Sequence, residues 1–177
     1  MKKYIINGLL VCAAVAPFSL ANAACSFESK KGVDNFTYAV SNEDCKLIKF
    51  DGESVVTIRL KYPSMKLVGY KDRAADVVTL KVSPIDAPPF DIDRAYSETV
   101  VVSSLDGVDL LEGKNSVYRV LGRDGTNAYI SDGQAIYIGR RAYENKLLAH
   151  YTFSHEISDI KKIDEFVSDF LDRFLVD

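Results

Sequence analysis

The chain has 177 residues, 47% of them hydrophobic and 27% charged, with 22 basic against 25 acidic side chains. A length of this order fits one domain that buries about two thirds of its unfolded surface, enough for a proper core. The net charge of −3 argues against a nucleic-acid partner, because the phosphate backbone demands a basic face.

The first 23 residues read as a secretory signal peptide. Lys2 and Lys3 give the charged start, residues 4–20 are mostly apolar and uncharged, and Ala21-Asn22-Ala23 is a small-x-small cleavage site. The apolar run is shorter than the roughly 20 residues of a membrane span, and Pro17 and Ser19 interrupt its end. No stable membrane insertion is expected after cleavage. A lipid anchor on Cys25 would need a different box, since Asn22 stands where leucine is usual. The layout is bacterial and the expected compartment is the periplasm. Cleavage leaves a domain of residues 24–177, with 20 basic and 25 acidic side chains. Cys25 and Cys45 remain, and in an oxidising compartment they allow one bridge. No cysteine nucleophile is then left.

The mature chain opens with a loose polar stretch, Ser26 to Asn35. Strands follow. Val56, Ile58, Leu60 and Tyr62 alternate with Thr57, Arg59 and Lys61, and Val78, Leu80 and Val82 alternate with Thr79, Lys81 and Ser83. Period two marks half-buried strands. Residues 99–103, 116–121, 127–131, 135–140 and 147–153 complete the set. Four Asp-Gly pairs, at 51–52, 106–107, 124–125 and 132–133, supply turns, and the spacing after residue 115 predicts an antiparallel meander. Asp124-Gly125-Thr126-Asn127 lacks the further oxygens of a calcium loop and is read as a turn.

The chain closes on a helix. Ile157, Ile160, Ile163, Val167, Phe170, Leu171 and Phe174 form one apolar stripe, with Ser154 as the expected N-cap and Asp169 and Arg173 as an i,i+4 pair. Its polar face is mostly acidic, so it should pack on the sheet and not lie on a membrane.

No catalytic signature is present. His150 and His155, the only histidines, lack a third metal ligand nearby. No phosphate-binding glycine loop and no Gly-x-Ser-x-Gly elbow occur, so neither a metal nor a cofactor is expected. A Ser-His-Asp triad without such an elbow stays open. Five tyrosines, Tyr118, Tyr129, Tyr137, Tyr143 and Tyr151, crowd the last third; three are expected in the core. One segment stands apart, residues 83–94, with three of the five prolines. There Phe90 and Ile92 have no periodic core to join, and Asp86, Asp91 and Asp93 surround them. A stiff loop with an aromatic anchor ringed by acids suits a basic protein partner.

Ile58-Arg59-Leu60-Lys61-Tyr62-Pro63, then Val77-Val78-Thr79-Leu80-Lys81-Val82 and a proline-rich loop, lead to Leu148-Ala149-His150-Tyr151-Thr152-Phe153 and a helix carrying Ile163, Val167, Phe170 and Phe174. This layout resembles small periplasmic immunity proteins that neutralise effectors delivered by type VI secretion systems. The resemblance implies an α+β domain that inhibits by occlusion. It carries over no residue roles.

The expected fold is therefore α+β, an antiparallel, meander-rich sheet with the C-terminal helix packed on one face. The expected function is binding of a protein partner, a basic effector or toxin. A small-molecule or lipid carrier with a pocket between sheet and helix, and an unrecognised hydrolase, are the alternatives. A closed apolar cavity would favour the carrier, and a cleft with perturbed acids or a buried histidine the enzyme.

Overall fold

The computed structural model describes residues 24–28, 35–85, 90–113 and 115–176. The expected signal peptide lies outside them. Thirteen strands and two α-helices run along the described chain: β1 (Ala24–Glu28), β2 (Asn35–Ala39), α1 (Asn42–Cys45), β3 (Lys49–Phe50), β4 (Val56–Lys61), β5 (Lys66–Leu67), β6 (Val77–Pro84), β7 (Val100–Leu105), β8 (Val108–Glu112), β9 (Val117–Leu121), β10 (Asn127–Asp132), β11 (Ile136–Tyr143), β12 (Leu147–Ser154), α2 (Ile160–Phe174) and β13 (Leu175–Val176). A 3-10 helix, Asp93–Tyr96, precedes β7.

Ten strands form one antiparallel sheet in the order β3-β4-β6-β12-β11-β10-β9-β8-β7, with β5 on β4. From β9 to β12 it is the meander expected after residue 115, and β7 and β8 extend it by hairpins that the spacing did not show. Three Asp-Gly glycines take positive φ, at Gly52, Gly107 and Gly125. Asp106 joins Gly107 there, with φ of 52° and 79°, the backbone of a two-residue hairpin turn between β7 and β8. Gly133 keeps ordinary φ. Its role is space: a Cβ there would lie 2.8 Å from the Ile136 carbonyl oxygen.

Alternation divides the sheet into two faces. Ile58, Leu80, Tyr151, Gly139, Ile130, Tyr118 and Leu110 stand opposite one another in register, strand by strand. α2 covers this face. Ile160, Ile163, Phe166, Val167, Phe170 and Leu171 are buried and join the sheet residues in the main core. The helix starts at Ile160, later than the stripe suggests, because Asp159 is the N-cap and accepts from the Lys162 amide. Ser154 instead accepts from the Glu156 amide and shapes the turn before it. Asp169 turns away from Arg173 to pair with Arg123. A charged network sits inside this face. Arg141, 1% exposed, reaches Asp164 at 2.7 Å and Asp124 at 2.5 Å and donates to the Ser168 hydroxyl.

The loose N-terminal start does not hold for its first residues. Ala24–Glu28 is a strand, paired to β2, and β13 pairs the other edge of β2. Cys25 and Phe36 are 2% exposed and Tyr38 is fully buried, so this small sheet has a core side of its own. Cys25 and Cys45 form the expected disulfide, which ties β1 to α1.

Candidate functional site

The face of the large sheet away from α2 carries a second row in register: Asp109, Arg119, Tyr129, Arg140, His150, Lys81 and Thr57, on β8, β9, β10, β11, β12, β6 and β4. One end of the row is neutralised. Arg119 donates to Asp109 from Nη2 at 2.6 Å and Nε at 3.1 Å.

The segment singled out in the sequence docks on the middle of this row. The Tyr96 ring stacks on Tyr129 with centroids 3.8 Å apart. Ile92 is 8% exposed and packs with Leu111, Val117 and Tyr129 in a second, smaller core. This corrects the expectation that Ile92 has no core to join; the sheet's second face provides one. Asp93 is also engaged. It accepts from the Tyr129 hydroxyl at 2.8 Å and from the Asn127 amide at 3.1 Å. Asp91 accepts from the Asp93 amide at 2.9 Å and shapes the turn into the 3-10 helix. Only Phe90 remains as an exposed anchor, 37% accessible. Asp86 lies outside the described residues. The described part, residues 90–96, is thus a strap docked on the sheet, with Asp91 and Asp93 held by partners of their own.

Between this strap and the sheet lies a cleft of about 510 Å³. Phe90, Asp91, Ile92 and Tyr96 line one wall, and Lys81, Arg140, His150 and Leu148 line the floor. The His150 imidazole is held below its ordinary pKa, first by burial and then by the charges of Arg140 and Lys81. Its Nε2 is buried and has no hydrogen-bond partner. Arg140 and Lys81 are exposed, and neither makes an ion pair with a described residue. Ser83 and Asp91 share this cleft with His150, but no hydrogen bond joins the three into a triad. The groups that act on the imidazole are two cations; a hydrolytic histidine is oriented by a carboxylate.

His155 is elsewhere, against Asp132 at 2.9 Å and the Tyr137 ring. Among the described residues no group of three metal-ligating side chains occurs. Asp124 accepts from the Thr126 amide and from Arg141, which makes its turn a structural one. Tyr129, Tyr143 and Tyr151 are the buried three of the five tyrosines.

A second exposed feature was not singled out in the sequence. β7 ends the large sheet, and all six of its residues are exposed. Val100, Val101, Val102 and Leu105 are 65, 46, 49 and 74% accessible. The signal was present as an uncharged run, Val100-Val101-Val102-Ser103-Ser104-Leu105, but nothing in the run says that it would lie at an edge. No described helix is long and apolar enough to cross a membrane. Comparison of the chain with known protein families, with characterised proteins and with solved structures gave no match.

Proposed function

We propose that the chain is an exported protein-binding domain and that β7 is its recognition edge. The observation that carries this reading is the make-up of that edge. Six consecutive residues carry no charge and no proline, four of them are large apolar side chains open to solvent, and the outer side of β7 pairs with no described strand. Folded proteins blunt such edges with lysine, proline, bulges or very short strands. β7 has only one such device, an irregular register between Val101 and Ser103. An extended segment of a partner polypeptide would add as the next strand, satisfy the open backbone groups and cover the valines. The Cys25–Cys45 bridge fits an oxidising compartment. The layout resembling immunity proteins makes a secreted effector, bound and occluded, the fitting partner.

The test uses the product of the adjacent gene as the partner. Amide exchange of 100–105 should slow in the complex, and Val100→Lys with Val102→Lys should weaken binding by roughly tenfold or more at unchanged melting temperature. Full affinity in the folded double variant overturns the reading. So does an edge-to-edge homodimer in light scattering, which would give β7 another occupant.

A further inference from the structure

The charged row on the second face is the feature that the protein-binding reading leaves unused. Arg140, His150 and Lys81 stand side by side on three adjacent strands, β11, β12 and β6. Arg140 and Lys81 face each other across the His150 strand, and both oppose a charge on the imidazole between them. The same row compensates Arg119 by placing Asp109 opposite it. It offers no carboxylate opposite Arg140 or Lys81; their in-row neighbours are Tyr129, His150 and Thr57. The docked strap completes a cleft over these cations. The rest of its lining is mostly apolar, with Val55, Phe90, Ile92, Ala95, Tyr96 and Leu148 beside the polar Ser83 and Asp91. Places where a fold breaks a local rule without internal compensation are where ligands act.

We propose that this cleft binds an amphipathic organic anion, a carboxylate on an aliphatic or aryl body. The carboxylate lies between Arg140 and Lys81 and accepts from the buried Nε2–H of His150. The body lies against Ile92, Leu148 and Tyr96, under Phe90. Three features argue for the pairing of charge with an apolar body. Two cations flank the half-buried His150 imidazole, so a carboxylate between them would make charge-assisted hydrogen bonds. The volume of about 510 Å³ is that of a small-molecule site and too large for a bare inorganic ion. Asp91, the only acid lining the cleft among the described residues, has one oxygen turned to the Asp93 amide. This site, on β6, β12 and β11 in the middle of the sheet, shares no residue with β7 and stands or falls separately from it.

The test is an NMR titration of the full mature chain with octanoate, near pH 7, with octanol and inorganic phosphate as comparators. Octanoate should give saturable shifts at His150, Leu148 and Ile92. Octanol and phosphate should each bind more weakly by roughly tenfold or more, since each lacks one half of the recognition. Lys81→Gln with Arg140→Gln should weaken octanoate by roughly tenfold or more. Both side chains are exposed, so the variant keeps its fold; the comparison of ligands on the wild type does not depend on it. Octanol binding as tightly as octanoate would make the cleft a plain apolar groove. Phosphate binding as tightly would make it a plain cation cluster. No saturable shift, or shifts confined to residues 100–105, would also overturn the proposal.

Discussion

Arg141 shows how strongly one side chain can tie charge to stability. Tyr151 donates to one oxygen of Asp164 at 2.8 Å while Arg141 holds the other. Burial pushes the Asp164 carboxyl above its ordinary range, and Arg141 and the Tyr151 hydroxyl pull it partly back. A raised carboxyl contributes stability that is complete below the unfolded pKa and is lost as pH rises through the folded one. Arg141→Met leaves a buried carboxylate without its cation and should cost roughly 3–5 kcal/mol near neutral pH. The cost should shrink on acidification, because a protonated Asp164 needs no partner. Urea melts of both proteins near pH 8 and near pH 4 check this, and a cost that does not change with pH would assign it to packing. His150 gives the opposite sign. Its depressed pKa contributes stability that is present above the unfolded value of about 6.5 and is lost as pH falls through the folded value. Arg140 and Lys81 flank the imidazole from the two neighbouring strands, and Asp91 of the strap lines the same cleft. Arg140→Gln removes one of the two cations, so the imidazole midpoint read by NMR should move up toward its ordinary value. An unmoved midpoint would mean that Arg140 points away.

Among the elements, α2 carries the largest share of the core. Phe170 is fully buried in mid-stripe and packs on Phe174 at 4.9 Å. Phe170→Ala should cost about 3–5 kcal/mol, read from thermal or urea melts. The β11–β12 pair has an equally narrow tolerance. Gly139 stands opposite Tyr151, and a Cβ there would come within 2.1 Å of the ring. Gly139→Ala should therefore displace Tyr151 from Asp164 and cost on the order of 1–3 kcal/mol; a melting temperature equal to the wild type's would show that the ring has room to move. The elements most legible in the sequence are those with a clean period. Strands β4, β6 and β12 alternate over six to eight residues, and α2 repeats its stripe over four turns. β1 and β2 were missed because Cys25, Phe27, Phe36 and Tyr38 alternate in two short pieces separated by a polar run. The strap was legible as an unusual segment, through its prolines and acids. Its docking was not, because the hydrophobic partners of Ile92 come from β8, β9 and β10. The cationic floor was invisible for the same reason. Lys81, Arg140 and His150 meet only through strand register, which no local pattern encodes.

At the scale of the whole molecule, the first and last described strands meet in the small sheet, where β2 lies between β1 and β13. The disulfide locks its first strand to α1 across 20 residues of sequence. In the chain-entropy picture that bridge contributes about 3 kcal/mol. Cys25→Ser with Cys45→Ser should lower the melting temperature by roughly 6–12 °C, and dithiothreitol should lower that of the wild type equally. A smaller effect of the reductant than of the double substitution would mean that serine packs poorly in the core that Cys25 joins.

The joining of the first and last described strands also sets an order of events. α2 follows every strand of the large sheet in the chain, yet it covers one face of that sheet, whose strands begin near residue 49. Until the final turn of α2 is available, Ile58, Leu80, Tyr151 and Phe153 face water, and a nascent or partly translocated chain presents a broad sticky surface. That face of the sheet cannot be buried until α2 is in place. A truncation after Glu165 would remove Phe166, Val167, Phe170 and Leu171 together. Its outcome is an aggregating polypeptide, not a slightly shorter protein.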